Sequence, residues 1–289
     1  MNRVDGQPRF ATADLATGVR LHYAEQGDPE GEAIVFLHGY SDSWFSFSRV
    51  LPLLSDEYHV FALTERGHGD SEKPECCYTL DDFAADVDAF MEAVGIESAT
   101  LVGHSNGSIM APRVALSYPR RVSRLVLVGA ATITATVEAN NAGVQELMEV
   151  TGAMEDPVPE EFVREFQASC VYHPVPEEFF ETVISESLKF PARVWRAVAE
   201  GVMLSNGTVE QLRGIDAPTL ILWGEHDAFF PREEQEQLAD VIPDAALEIY
   251  PETGHTPHWE RPERFVRDLE AFMQKPPPAR PSATEGAVS

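Results

Sequence analysis

One stretch constrains the chain more than any other. At 99–116 the sequence reads ATLVGHSNGSIMAPRVAL: a short apolar run, then Gly103-His104-Ser105-Asn106-Gly107, then a helix-like segment from about Ser108. Gly-x-Ser-x-Gly between a strand and a helix needs a turn so sharp that the serine backbone leaves the ordinary allowed regions and its hydroxyl projects clear of the sheet. Glycines two residues to either side let strand and helix approach with no Cβ between them. A chain built around such a turn needs a sheet below it and helices beside it.

The rest of the sequence supplies them. Continuous apolar runs at 33–37 (AIVFL), 59–63 (HVFAL), 125–129 and 219–223 (TLILW) are of buried-strand type, with a further strand at 246–250. An alternating outer strand is expected at 18–25, followed by a Gly27-Asp28-Pro29 turn. Helices are expected at 44–54, at 80–94 with Thr79 as cap and Gly95 beyond its end, at 232–241, and from Pro262 to about 274. Strands alternating with helices predict an α/β architecture: a doubly wound, mostly parallel sheet of about eight strands. The rhythm breaks between 133 and 213, where no buried-strand run occurs and helical stretches lie at 144–150, 160–169, 176–188 and 193–203. The expected organisation is therefore a core of 1–132 and 214–275, an inserted helical cap of 133–213, and a disordered tail of 276–289.

Charge excludes some partners. Acidic residues outnumber basic ones 48 to 21, only three of the latter are lysines, and the net charge is −27. Such a surface repels nucleic acid and anionic membranes, and repels itself at low salt. Because molar salt shortens the Debye length to about 3 Å, adaptation to a salty cytoplasm is expected. No run of 18 apolar residues exists, and the polar N-terminus lacks the apolar segment of a secretory signal. Cys76, Cys77 and Cys170 are odd in number and two are adjacent, so free thiols in a reducing cytoplasm are expected.

A serine hydroxyl is a weak nucleophile until a base takes its proton and an acid orients that base. In an α/β sheet the partners belong on loops at the carboxyl ends of later strands. Asp227 follows the 219–223 strand and His255 follows the 246–250 strand, giving the chain order Ser, Asp, His that this turn requires. Glu225 is nearer its strand end but has the wrong spacing to reach across. No acid follows the 125–129 strand directly. His258 is placed as a pocket residue, His22, His59 and His173 as surface or packing residues. His38, His68 and His104 sit on site-facing loops, where hydrogen bonding that fixes loop shape is their expected work. Two backbone N–H groups aimed at a developing oxyanion are expected from Asn106 and from Tyr40 in the His38-Gly39-Tyr40-Ser41 turn.

With these residues in place the chain resembles the α/β-hydrolase superfamily, in its Ser-His-Asp branch with a helical cap. The resemblance rests on LHGYSD at 37–42, ERGHGDSEKP at 65–74, GHSNGS at 103–108, WGEHDAFFP at 223–231 and GHTPHWERPERF at 254–265. It implies Ser105 as nucleophile, His255 as base, Asp227 as orienting acid, Tyr40 and Asn106 as oxyanion donors, and a cap over the pocket. It implies no metal and no cofactor. Glu65 stands where such proteins usually carry aspartate and is expected to be structural. Pro112, seven residues past Ser105, is expected to bend the elbow helix and leave the Ser108 carbonyl to other partners.

The expected chemistry is two-step hydrolysis of small to medium carboxylic esters. Lactone or C–C bond hydrolysis and cofactor-free haloperoxidase chemistry are alternatives on the same triad, and a ligand receptor is the alternative outside enzymes. Serine at the nucleophile position argues against dehalogenase or epoxide-hydrolase chemistry. Candidate pocket residues are His38, Trp44, His104, Trp195, Phe229 and His258, with Phe162, Phe166, Phe179 and Phe180 expected mostly to pack the cap. Arg164, Arg193 and Arg196 are weighed as carboxylate ligands, with ion pairing preferred. The expected partner is a small-molecule ester, bound by a monomer or homodimer.

Overall fold

The computed structural model describes residues 8–131, 142–203 and 209–275. Eight strands form one sheet: β1 (Arg9–Asp14), β2 (Arg20–Gly27), β3 (Ala33–Leu37), β4 (His59–Thr64), β5 (Ala99–His104), β6 (Val122–Val128), β7 (Thr219–Gly224) and β8 (Ala245–Tyr250). Their order is β1-β2-β4-β3-β5-β6-β7-β8. β1 and β2 pair antiparallel, β2 also runs antiparallel to β4, and every other pairing is parallel. The inner strands β3, β5 and β7 are buried at every residue, which is why they read as unbroken apolar runs. β1 has no such signature, because an edge strand buries only part of one face.

Nine helices surround the sheet among the described residues: α1 (Leu80–Ala93), α2 (Asn106–Ser117), α3 (Ala142–Ala153), α4 (Glu160–Ser169), α5 (Glu177–Ser187), α6 (Ala192–Val198), α7 (Arg232–Val241), α8 (Pro257–Glu260) and α9 (Pro262–Met273). Four of them, α3 to α6, lie between β6 and β7 where no strand was expected. α6 continues as a π turn, Ala199–Met203. Alternate side chains of the strands feed separate cores. Val35, Leu37 and Leu101 pack with α1 and α2 on one face, while Ile34, Phe36 and Val102 pack with α9 on the other. The Thr79 cap forms as expected: its hydroxyl accepts from the Asp82 N–H, and the Asp82 carboxylate accepts from the Thr79 N–H at 2.8 Å.

Two expectations change. The helix expected at 44–54 is two short 3₁₀ turns, Trp44–Phe47 and Leu51–Leu53. Pro52 has no N–H to donate and disfavours helical geometry at Leu51, which weighs against an α-helix over this stretch. Cys76 and Cys77 are bonded to each other rather than free, which leaves the buried Cys170 as the free thiol. An odd count excludes a framework across the fold, but two neighbours still close a ring, and the argument from free thiols to a reducing compartment falls with it. Helix α2 continues through the buried Pro112 from Asn106 to Ser117, and Pro112, having no N–H, cannot donate to the Ser108 carbonyl. The tail at 276–289 and the start of the cap at 133–141 lie outside the described residues, and no described helix is long and apolar enough to cross a membrane.

The loop after β4 is fixed by a buried ion pair. Arg66 Nε and one terminal nitrogen meet the two oxygens of Asp86 on α1, each at 2.6 Å, with Arg66 4% and Asp86 2% exposed. Thr17 donates to the same carboxylate, and Arg66 also donates to the Cys77 carbonyl. Removing one partner strands the other charge in a dry site. Replacing Arg66 by leucine is therefore expected to cost about 3–5 kcal/mol, read as a lowered midpoint in urea unfolding.

Candidate active site

The site is built where β5 turns into α2. Ser105 has φ +50 and ψ −112, far from any helix or strand geometry. Holding a non-glycine residue there costs about 1–3 kcal/mol, offset only by contacts that enforce it. Those contacts are visible. The Ser105 N–H donates to the Val128 carbonyl at 2.9 Å, and the Gly107 N–H to the His38 carbonyl at 3.1 Å. A Cβ at Gly103 would lie 2.2 Å from the Gly107 carbonyl oxygen, and one at Gly107 2.3 Å from that of Leu37. Strand and helix touch at this turn through backbone alone, which is why both glycines are needed.

Asp227 and His255 arrive from β7 and β8. His255 Nδ1 lies 2.8 Å from Asp227 Oδ2, and since a carboxylate only accepts, Nδ1 carries the proton and Nε2 keeps its lone pair. The other carboxylate oxygen accepts from the N–H groups of Phe229 at 2.8 Å and Phe230 at 3.1 Å. Both side chains are shut from solvent, at 3% for His255 and 0% for Asp227. The His255 N–H donates to the Cys170 carbonyl, tying this loop to the end of α4. Ser105 and His255 share the lining of one cavity of about 630 Å³, and Ser105 Oγ hydrogen-bonds to no other described residue. The backbone N–H groups of Tyr40 and Asn106 likewise donate to no described residue, as free oxyanion donors would. The Tyr40 hydroxyl donates to the Trp195 carbonyl on α6 and so joins the oxyanion turn to the inserted helices.

Of the candidate pocket residues, His104 and Phe229 line this cavity, as do Phe162 and Phe166. The others do not. His38 is consumed by its own loop: Nδ1–H donates to the Gly39 carbonyl at 2.8 Å and Nε2 accepts from the Glu65 N–H at 3.1 Å. Burial pushes its pKa down to about 4, so it is neutral. His258 sits one layer behind, its Nε2 3.2 Å from Ser46 Oγ. Trp44 packs on Phe10, on the far side of its turn. Trp195 backs the cavity through Tyr40 without reaching it. Phe179 packs on Phe45 and Trp259. Arg164 is held by Glu160 and Glu181 at the surface, while Arg193 and Arg196 donate to backbone carbonyls.

Glu65 is buried, and burial together with the nearby Asp42 and Asp86 charges raises its pKa well above the usual carboxylate range. With His38 and His68 it forms a trio whose ligand atoms lie within 4.8 Å of one another. His38 has both nitrogens engaged, so the trio offers a metal at most two free ligands, and the residues do not fit a metal centre.

Sequence reasoning missed Asp42. It lines the cavity at 4% exposure, accepting from Gln167 Nε2 at 3.0 Å and Ser46 Oγ at 3.1 Å, and burial raises its pKa to about 6. Its position two residues past Tyr40 was the available signal. Gln167, from α4, has no local signal, because only the docking of the inserted helices brings it there.

Comparison with known proteins bears on this site. A family described as the alpha/beta hydrolase fold matches residues 32–262. The chain is 30% identical to a 2-hydroxy-6-oxononadienedioate/2-hydroxy-6-oxononatrienedioate hydrolase of Pseudomonas putida, over 89% of this chain and 92% of the relative. Among solved structures it is similar to an esterase from Rhodococcus sp. ECU1013, with a TM-score of 0.71 at 25% identity, covering 92% of this chain and 98% of that one. It is also similar to a meta-cleavage product hydrolase from Pseudomonas fluorescens IP01, with a TM-score of 0.74 at 27% identity, covering 91% and 97%.

The geometry joins Asp227 to His255 in the cavity that Ser105 also lines, so a nucleophilic Ser105 would depend on that pair. Labelling of Ser105 by a fluorophosphonate probe, followed by intact mass, is expected to slow by about 10³-fold or more in Asp227→Ala.

Proposed function

Because the chain belongs to the α/β-hydrolase family, we propose that it is a serine hydrolase that cleaves small to medium carboxylic esters through an acyl-enzyme. Ser105 attacks the ester carbonyl while His255 Nε2 takes its proton, and Asp227 stabilises the imidazolium that forms. The Tyr40 and Asn106 N–H groups hold the oxyanion. His255 then returns the proton to the leaving alcohol, and water releases the acid by the same route in reverse. The resting gap between Ser105 Oγ and His255 closes in the substrate complex, as such contacts commonly do.

The observation that carries the ester reading is the cavity lining. Phe162, Phe166, Phe229, Phe230 and Trp259 give it an apolar, aromatic surface; its charged side chains are Asp42 and Glu146, and no arginine or lysine lines it among the described residues. A neutral ester suits such a lining. The Pseudomonas putida relative favours a second reading, C–C bond hydrolysis. Its substrate is by name a dioate, and here a dianion would meet two acids and no cation. Salt acts on the whole molecule: at net charge −27, added KCl is expected to raise the melting temperature as self-repulsion is screened.

Hydrolysis of p-nitrophenyl esters of increasing acyl length is expected to show turnover, with kcat/KM at least about 10³-fold lower in Ser105→Ala. The named dienedioate is expected to be cleaved far more slowly than the best ester. Activity untouched by Ser105→Ala, or preference for the dioate, overturns the reading.

A further inference from the structure

The triad leaves unused one pair of side chains on the cavity wall. His104 is the last residue of β5, and its Nε2 lies 3.2 Å from the His255 carbonyl oxygen. A carbonyl only accepts, so Nε2 carries the proton. His104 is buried beside His258 and His255, which drives its pKa well below the usual value and keeps it neutral. Its Nδ1 is therefore a bare lone pair, and it finds no partner. Facing it at 4.0 Å is Asp42 Oδ2, too far for a hydrogen bond between them. Asp42 accepts from Gln167 on one oxygen and from Ser46 on the other, with the Gly39 N–H also acting on the carboxylate, which leaves it accepting capacity to spare. Gly39 puts no side chain between the pair: a Cβ there would lie 2.8 Å from His104 Nδ1 and 3.3 Å from Asp42 Oδ2. Both residues line the cavity that holds Ser105. His104 Nδ1 is thus a buried acceptor with no donor, beside a carboxylate that keeps further accepting capacity, and a buried acceptor left unpaired is costly.

We propose that Asp42 and His104 form the specificity element of this site, receiving a hydrogen-bond donor carried by the substrate, an ammonium group above all and a hydroxyl next. The assignment rests on the ester reading of Ser105 and narrows it to esters that bear such a donor. A substrate N–H or O–H placed between Asp42 Oδ2 and His104 Nδ1 satisfies both acceptors at once. A substrate carboxylate brings a third acceptor and a second negative charge to the same spot. The raised Asp42 pKa agrees in direction, since a carboxylate buried without a cation is one that a cationic ligand would stabilise. The aromatic faces of Phe166 and Phe229, 6.2 Å apart on the same lining, add further attraction for an ammonium group.

The test compares three ethyl esters of similar size, followed by acid release with Asp42 ionised: ethyl butanoate (neutral), β-alanine ethyl ester (cationic) and monoethyl succinate (anionic). In the wild-type protein kcat/KM is expected to rank cationic, then neutral, then anionic, with about tenfold or more between the extremes. Asp42→Asn is expected to cut the cation-to-anion ratio by about tenfold, acting through KM rather than kcat. A second measurement needs no variant: propylammonium is expected to inhibit ethyl butanoate hydrolysis competitively, and propanoate is not. Equal kcat/KM for the three esters, a ratio unmoved by Asp42→Asn, or stronger inhibition by propanoate overturns the assignment and leaves ester hydrolysis standing. Failure of all three esters and of every p-nitrophenyl ester overturns the ester reading itself.

Discussion

Strand β5 and helix α2 meet at Ser105 with no side chain between their backbones, and the rest of the site depends on that contact. A Cβ at Gly103 or Gly107 would sit within 2.3 Å of a backbone carbonyl oxygen. Neither strand nor helix can retreat, because β5 is buried between β3 and β6 and α2 is buried along most of its length. The turn therefore has one solution, which places Ser105 at φ +50 with its hydroxyl over the sheet. Its backbone strain is held by ladder and helix hydrogen bonds on either side. The same solution leaves the Asn106 N–H unpaired at the start of α2, where a developing negative charge is best received.

Around that point the chain gathers an unusual number of imidazoles, and burial sorts them. His38, His104 and His258 are all held neutral by loss of solvent. Each then offers one donor and one acceptor in a fixed arrangement. His38 spends both on its loop. His104 spends its donor on the His255 carbonyl and leaves its Nδ1 acceptor buried and unpaired. His255 differs because a carboxylate stands against its Nδ1, so an imidazolium formed there would be a paired cation rather than an isolated one. One residue type serves three purposes through its neighbours alone.

Much of this was legible in the sequence. The parallel sheet declared itself through strands buried on both faces, and three residues at three strand ends in one order marked out the candidate site, where Asp227 and His255 pair beside Ser105. What was illegible shares a feature. β1 hides because an edge strand lacks the apolar run, and the 3₁₀ turns at 44–53 hide because an apolar stretch interrupted by Pro52 reads like a helix. His38, His258, Trp44 and Trp195 were placed in the pocket because sequence proximity to the motifs is no measure of which way a side chain faces.

Two kinds of constraint thus divide the protein. The Thr79 cap and the glycine pattern that the 103–107 turn requires were determined by the sequence, since neighbouring residues carry them. Constraints that need distant segments to meet were decided by the tertiary structure. Asp42 acquires Gln167 from α4, His104 turns its donor to a carbonyl 151 residues away, and the oxyanion turn is tied to α6 through Tyr40. Burial and the pairing of acceptors with donors are properties of a three-dimensional neighbourhood, and no local pattern along the chain encodes which groups will share it.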